Sequence, residues 1–308
     1  MSPIAGTTGV IVVNYGSPHL LQANLAPLTR SDPSLVCVVV DNFSTAANRA
    51  ALEALAAEEH WTLLLPDANL GFGTGMNLGV QRAIDLACSR VLLLNPDATL
   101  DRRALDRLVE ETDRDPLAMC APRIERSDGS VWFDGNDLCL DDGAIWATSR
   151  RRLHPEAAVT PWLTGACLLL TVELWTLLGG FRDEYFLYWE DVDLSFRVPA
   201  VGGTLVVVHD AVAIHDEGGT HDRSDAASSR AKSSTYYYYN VRNRLLFAAL
   251  HLPPERVRSW RRTALSATWA ILLQGGRRQF LTSTSPLRAG FSGLRDGLRL
   301  SRDAARRR

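Results

Sequence analysis

"GFGTGMNLGVQRAIDLACSRVLLLNPDATL" spans Gly71 to Leu100. One run holds a glycine loop, a helical pattern over about 74–88 and an apolar strand, "RVLLL" (90–94), stopping at Asn95-Pro96-Asp97. A strand that is apolar at successive positions is buried on both faces, as in a parallel sheet covered by helices. The preceding chain repeats the unit. "GVIVV" (9–13) runs into "NYGSPH" and a helical pattern over about 18–29. "LVCVVV" (35–40) ends at Asp41-Asn42-Phe43-Ser44, followed by a helical pattern over about 46–58 and a third strand, "WTLLL" (61–65). This alternation predicts an α/β fold with a mostly parallel central sheet flanked by helices. Ligands of such sheets lie beyond the carboxyl ends of the strands. Asn14-Tyr15, Asp41-Asn42-Ser44 and Asn95-Asp97 fall on that rim. Each cluster alone is also ordinary turn and N-cap chemistry; three on one rim favour a binding site.

The alternation weakens after about 115. Residues 127–160 are rich in Gly, Asp and Trp, as an acceptor-facing or flexible loop region would be. "WLTGACLLL" (162–170) reads as a buried strand and "TVELWTLLGGF" (171–181) as a helix closed by Gly179-Gly180. "TLVVV" (204–208) and "AVAIHDEGG" (211–219) are strand-like, and 229–250 and 254 onward are helical in composition.

The chain has 308 residues, 46% hydrophobic and 22% charged, with a net charge of −2, which argues against general nucleic-acid affinity. The charge is unevenly spread. From Pro254 onward, arginines from Arg256 to Arg308 face only Glu255, Asp296 and Asp303. Such a tail suits an anionic partner, such as a membrane surface or a phosphorylated lipid. The five cysteines are scattered without a C-x-x-C pair, as expected of small apolar residues in a reducing cytoplasm. Residues 1–10 lack a signal-peptide pattern, and "ALSATWAILL" (264–273) is too short to span a bilayer.

A dinucleotide fingerprint needs G-x-G-x-x-G after the first strand. Here Gly71, Gly73 and Gly75 follow the third strand, and Met76 holds the position of the last glycine. A turn that lets a helix pack closely on the sheet is the plainer reading. "YWEDVDLSFR" sets Glu190, Asp191 and Asp193 at a helix start, where the dipole favours anions. Phe186, Tyr188, Trp189 and Phe196 surround them, and partly desolvated carboxylates make better bases. Asp191 is the chosen general base. His215 ends a strand-like run; paired with Asp97 it would complete a carboxylate–imidazole–phosphate cation site, but spacing leaves their meeting open.

Five stretches together resemble the family 2 glycosyltransferases, especially their rhamnosyltransferase-like branch. They are "VIVVNYGS" (10–17), "VVVDNFST" (38–45), "NLGFGTGMNLGV" (69–80), "LLLNPDATL" (92–100) and "TGACLLLTVELWTLLGGFRDEYFLYWEDVDLSFRV" (164–198). Weaker agreement continues to about residue 250. The resemblance implies a GT-A fold, a nucleotide-diphosphate sugar donor, Mg²⁺ or Mn²⁺, and an inverting single displacement. It implies a catalytic domain over 1–250, donor-binding to about 125 and acceptor/base-bearing beyond, with a basic helical tail over 251–308. By the same resemblance, Asn14 and Tyr15 contact the nucleoside, and Asp41 bonds the pyrimidine within a pocket shaped by Asn42 and Ser44. Asn69, Gly71 and Asn77 line the diphosphate side, Asn95 also belongs to the donor site, and Asp97 and His215 fall at the metal. Asp191 takes the acceptor proton, Glu190 positions hydroxyls, and Trp189 and Asp193 contact the acceptor. Asn95 departs from the broad family's Asp-x-Asp, although the rhamnosyltransferase-like branch shares Asn-x-Asp; an amide brings no charge to a cation.

The implied donor is dTDP-L-rhamnose or a related deoxysugar or furanose nucleotide, and the acceptor a glycan, a lipid-linked or a small-molecule hydroxyl. The expected location is the cytoplasm, with peripheral membrane contact through the tail. Two other readings stay open. One is a sugar-nucleotide pyrophosphorylase, which would want a basic loop where "NYGSPHLLQ" has none. The other is a non-catalytic nucleotide-sugar-binding or scaffold protein.

Overall fold

The computed structural model describes residues 6–215 and 232–307; the end of the expected 211–219 strand, 216–219, lies outside them. The chain divides into two compact units. The first comprises Met1–Asn136, Pro161–Asp183 and Glu190–Asp222; the second comprises Asp137–Thr160, Glu184–Trp189 and Arg223–Arg308.

The first unit begins with β1 (Thr8–Asn14), α1 (Pro18–Asn24), α2 (Ala26–Ser31), β2 (Val36–Asp41), α3 (Ala46–Glu58) and β3 (Thr62–Leu64). It continues through α4 (Phe72–Asp85), β4 (Arg90–Leu94), β5 (Ala98–Leu100), α5 (Arg102–Arg114), β6 (Ala118–Glu125) and β7 (Val131–Phe133). The chain then passes β8 (Asn136–Cys139), β9 (Ile145–Ala147) and β10 (Val159–Trp162), which pair in the order β10-β8-β9. It returns to the first unit with β11 (Cys167–Thr171), α6 (Val172–Leu178), α7 (Glu190–Arg197) and β12 (Thr204–His215).

The central sheet runs β3-β2-β1-β4-β11-β6-β12-β5, with β7 on β6. Pairing across β3, β2, β1 and β4 is parallel, as the alternation predicts. Beyond β4 the sheet is mixed rather than mostly parallel, because β11 enters antiparallel between β4 and β6. Val10, Ile11 and Val12 of β1, Val38 to Val40 of β2 and Val91 to Leu93 of β4 are fully buried. Burial on both faces is why these strands read as continuous apolar runs. Helix starts follow their caps: Thr45 accepts from the Asn48 N–H, Asp101 from Ala104 and Thr171 from Leu174.

The expected 162–170 strand divides. β10 ends at Trp162, β11 starts at Cys167, and between them Thr164–Ala166 forms a loop whose N–H groups and carbonyls serve other elements. The runs 204–208 and 211–215 join into one strand, β12, whose register on β6 shifts between Val208 and Val212.

The second unit carries α8 (Ser234–His251), α9 (Pro254–Arg262), α10 (Ala264–Leu273), α11 (Gln279–Thr282) and α12 (Ser285–Arg307). Trp260 is fully buried, donates its indole N–H to the Leu140 carbonyl at 2.9 Å and stacks on Phe247. The Arg244 guanidinium lies over the same indole, and burial depresses its pKa to about 10. In this unit Phe186, Tyr188 and Trp189 all have left-handed backbones, with φ of 62°, 64° and 75°. Such conformations are strained for large side chains. The buried Asn243 amide holds the turn by donating to the carbonyls of Tyr185, Leu187 and Tyr188 at 2.8–2.9 Å.

Candidate active site

The rim at the carboxyl ends of β1, β2 and β4 carries the expected polar groups. At the first strand, Asn14 is fully buried; its Oδ1 accepts the Ser17 N–H, and its Nδ2 has no partner among the described residues. Tyr15 beside it is exposed. At the second strand, the Asp41 carboxylate is buried. Its Oδ2 accepts from Arg49 Nε at 2.7 Å, while its Oδ1 is buried without a partner among the described residues. Arg49 also donates to the Pro66 carbonyl and lies 4.6 Å from the centre of the Phe43 ring. Ser44 accepts from Asn48.

The glycine loop serves chiefly to brace. Gly71 has φ of 82° and caps α4, which glycine alone does without strain. Asn42 donates from Nδ2 to the Gly71 carbonyl at 2.7 Å and accepts the Leu70 N–H, and Asn69 accepts the Gly71 N–H. α4 opens at Phe72, ahead of the expected 74, because its glycines face neighbours. A Cβ at Gly75 would meet Val13 at 3.0 Å, and one at Gly79 would meet Ile11 at 2.4 Å. Asn77 exchanges two hydrogen bonds with the Phe181 backbone, at 2.8 and 2.9 Å.

At the fourth strand the Asn95-Pro96-Asp97 turn is fixed from two sides. The Asn95 N–H donates to the Ala166 carbonyl at 2.9 Å, and the Asn24 side chain donates to the Pro96 carbonyl at 2.9 Å. β12 pairs with β5 so that His215 stands opposite Ala98. That register brings His215 Nε2 to 3.0 Å from Asp97 Oδ1 across 118 residues of chain. The imidazole leans on Trp132, and its Nδ1 is buried without a partner among the described residues.

The three acids of α7 are placed differently. Gly165 donates its N–H to Asp191 Oδ2 at 2.9 Å, and the Val192 N–H donates to Oδ1 at 2.8 Å. Consecutive residues Gly165 and Ala166 thus hold Asp191 and the Asp97 turn respectively. Burial raises the Asp191 pKa, and the backbone donors oppose the rise. Glu190 is buried, lies against Gly73, and has an Oε2 without a partner among the described residues. Its pKa is raised well above the usual range by burial first, then by the Asp191 and Asp193 charges. Of the two carboxyls, Glu190 is the one pushed further toward its protonated form, because burial and both neighbouring charges act on it while backbone donors hold Asp191 back. Asp193 is fully buried and ion-paired to Arg197 at 2.7 Å and Arg182 at 3.5 Å. Arg197 donates onward to the carbonyls of Leu178 and Gly180, so this acid anchors the turn before Phe181. Trp189, in the second unit, is buried against Phe247 and Trp260.

The profile of Glycosyl transferase family 2 matches residues 9–166, just over half of the chain and every rim element up to the Asp97 turn. The chain belongs to glycosyl transferase family 2. The transferase is 29% identical over 255 residues, 75% of this chain and 82% of the relative, to an N-acetylglucosaminyl-diphospho-decaprenol L-rhamnosyltransferase of Mycobacterium tuberculosis (strain ATCC 25618 / H37Rv). It is 21% identical, over 77% of itself and 94% of the relative, to the rhamnosyltransferase WbbL of Escherichia coli (strain K12). Its fold is similar to that of the mannosyltransferase PcManGT from Pyrobaculum calidifontis in complex with GDP-Man and Mn²⁺. The TM-score is 0.56 and the identity 15%, over 97% of this chain and 87% of that one. A second similar fold is GalNAc-T7 with UDP, GalNAc and Mn²⁺, at a TM-score of 0.55 and 14% identity, over 79% of this chain and 48% of that one. The glycosyltransferase therefore has the expected GT-A fold.

The glycosyltransferase offers a cation two ligand atoms rather than a cage. No group of three or more His, Cys, Asp or Glu fit to hold a metal occurs among the described residues. Asp97 Oδ1 and His215 Nε2, 3.0 Å apart, are the two atoms that would hold a cation. Carboxylate and imidazole are donors that fit a divalent cation, which these two residues would hold together with oxygens of a bound nucleotide. Arg49, Asn24 and Gly165 escape sequence reading. Their signal is their contact with Asp41, Pro96 and Asp191, which lie 8, 72 and 26 residues away.

Proposed function

We propose that this family 2 glycosyltransferase is an inverting, cation-dependent rhamnosyltransferase. It uses dTDP-L-rhamnose, or a related deoxysugar or furanose nucleotide, and a lipid-linked glycan hydroxyl as acceptor. The observation that carries the reading is the Gly165–Ala166 pair, which ties a lone carboxylate base to the Asp97–His215 turn on one rim. The relatives' rhamnosyl transfer, in one case to a decaprenol-linked acceptor, supports the choice of sugar and acceptor.

The residues divide the work. Asp41 Oδ1, free and buried, accepts the imide N–H of a thymine or uracil, and Arg49 fixes the carboxylate so that this oxygen faces the base. Asp97 and His215 hold the cation, which when bound stabilises charge growing on the departing diphosphate. Asp191 removes the acceptor proton as its oxygen attacks the anomeric carbon. The acceptor–carbon bond forms as the carbon–diphosphate bond breaks, with inversion and without a covalent intermediate. Glu190, protonated, donates a hydrogen bond to a sugar or acceptor hydroxyl.

The deciding experiment is Asp191→Asn. Transfer should fall by about 10³-fold, as expected on losing a general base. The variant should still show the full thermal shift with dTDP and Mn²⁺. Near-normal turnover would reject Asp191 as the base; a lost nucleotide response would show instead that the donor site depends on it.

A further inference from the structure

In the second unit, α9 and α10 form one almost continuous amphipathic element. The helical ladder carries through Thr263, whose N–H donates to the Ser259 carbonyl at 3.1 Å while its own carbonyl accepts the Ala267 N–H at 2.9 Å. Val257, Trp260, Ala264, Thr268 and Leu272 are buried along one side. The opposite stripe, spaced four, three and four, is Arg258, Arg262, Leu265 and Trp269, all exposed. Trp269 stacks on Phe280 of α11 at 5.7 Å, which brings Arg278 and Leu281 to the same end. Leu265, Trp269 and Leu281 are 61%, 47% and 87% exposed. A buried helix would not present them so, and a solvent-facing one would not need them. The three arginines make no ion pair among the described residues, whereas Arg256 and Arg295 pair with Asp141 and Asp296.

We propose that this face docks on the surface of an anionic lipid bilayer, with Leu265, Trp269 and Leu281 in the headgroup region and the arginines on lipid phosphates. No helix of the described residues is long and apolar enough to cross a membrane, so the contact is peripheral. Charge complementarity singles out this occupant. The segment from Pro254 carries thirteen arginines against three acids in a chain of net charge −2, so its cationic face opposes an otherwise acidic protein. A second copy of the chain would bring the same cations together. The inference goes beyond sugar transfer and does not depend on it.

The test is co-sedimentation of the full chain with vesicles of phosphatidylcholine alone or with one-third phosphatidylglycerol, at low and high salt. Wild type should bind the anionic vesicles only, and less at high salt. Arg258→Gln/Arg262→Gln/Arg278→Gln should weaken partitioning about a hundredfold, since each cation near an anionic surface contributes about fivefold. Leu265→Glu/Leu281→Glu should weaken it at least tenfold. Equal binding to both vesicle types, or wild-type binding by both variants, overturns the proposal. So does unaltered vesicle binding with loss of a dimer in sedimentation velocity, which would make the face an interface between copies. If the leucine variant melts early, the arginine variant decides, because its side chains are exposed and make no ion pair among the described residues.

Discussion

Asp191 and Asp193 stand two residues apart on the first turn of one helix, and their surroundings are opposite. Asp193 has two guanidiniums within 3.5 Å and no exposed surface. Asp191 has, among the described residues, backbone donors alone and no cation, and its pKa is raised. A buried carboxylate neutralised by arginines is a structural pin; one held by N–H groups and left uncompensated is poised to take a proton. The same division runs along the rim. Asn42, Asn69 and Asn77 are hydrogen-bonded to the protein, whereas Asp41 Oδ1, Glu190 Oε2 and His215 Nδ1 are buried and unpartnered among the described residues. Buried polar atoms are costly to leave unpaired, which is why Asp41 and Glu190 enter the proposed site.

The contrast breaks most visibly at its structural end. Asp193→Asn removes the buried charge that compensates half-buried Arg197, and breaking such a pair costs up to about 3 kcal/mol. Thermal unfolding should show a large fall in Tm, while the residual folded enzyme keeps its dTDP affinity. Unchanged stability with lost transfer would instead give Asp193 the acceptor role implied by the family resemblance.

A smaller effect is expected at Arg49. Arg49→Met leaves Asp41 without its fixed partner, and dTDP binding should weaken about tenfold, in line with one charge-assisted hydrogen bond. Preference for dTDP over dCDP should narrow, because cytosine offers an acceptor where thymine offers a donor. A loss equal for both nucleotides would make Arg49 a mere prop for the 66–71 turn.

These residues also show what the sequence can and cannot yield. The parallel strands and helix Ala46–Glu58 were readable because their signals are local: continuous apolar runs and a helical pattern over 46–58. The antiparallel entry of β11 was not, because an apolar strand buried on both faces reads alike in either direction. Asp97 and His215 were each visible, yet their meeting depends on the β12–β5 register, a long-range property. Tryptophan-Glu-Asp-x-Asp marked the right turn of helix without saying which acid is pinned. Arg182 and Arg197 decide that, through contacts that only the folded Gly179–Phe181 turn creates.

The smallest expected change is the most discriminating. Asp191 must be ionised to accept a proton, so kcat/KM should rise with pH through a limb displaced upward from the ordinary aspartate value, and fall as pH drops below it. Glu190 presses on that limb only if it is charged. Its burial, followed by the charge of Asp191, pushes it further toward the protonated form than Asp191. Glu190→Gln is then a replacement of one neutral group by another of the same shape: turnover drops as a hydroxyl contact is altered, but the limb should not move. If instead the limb shifts down by about one pH unit, Glu190 was an anion raising its neighbour, and the two carboxyls titrate as a shared pair rather than in separate roles.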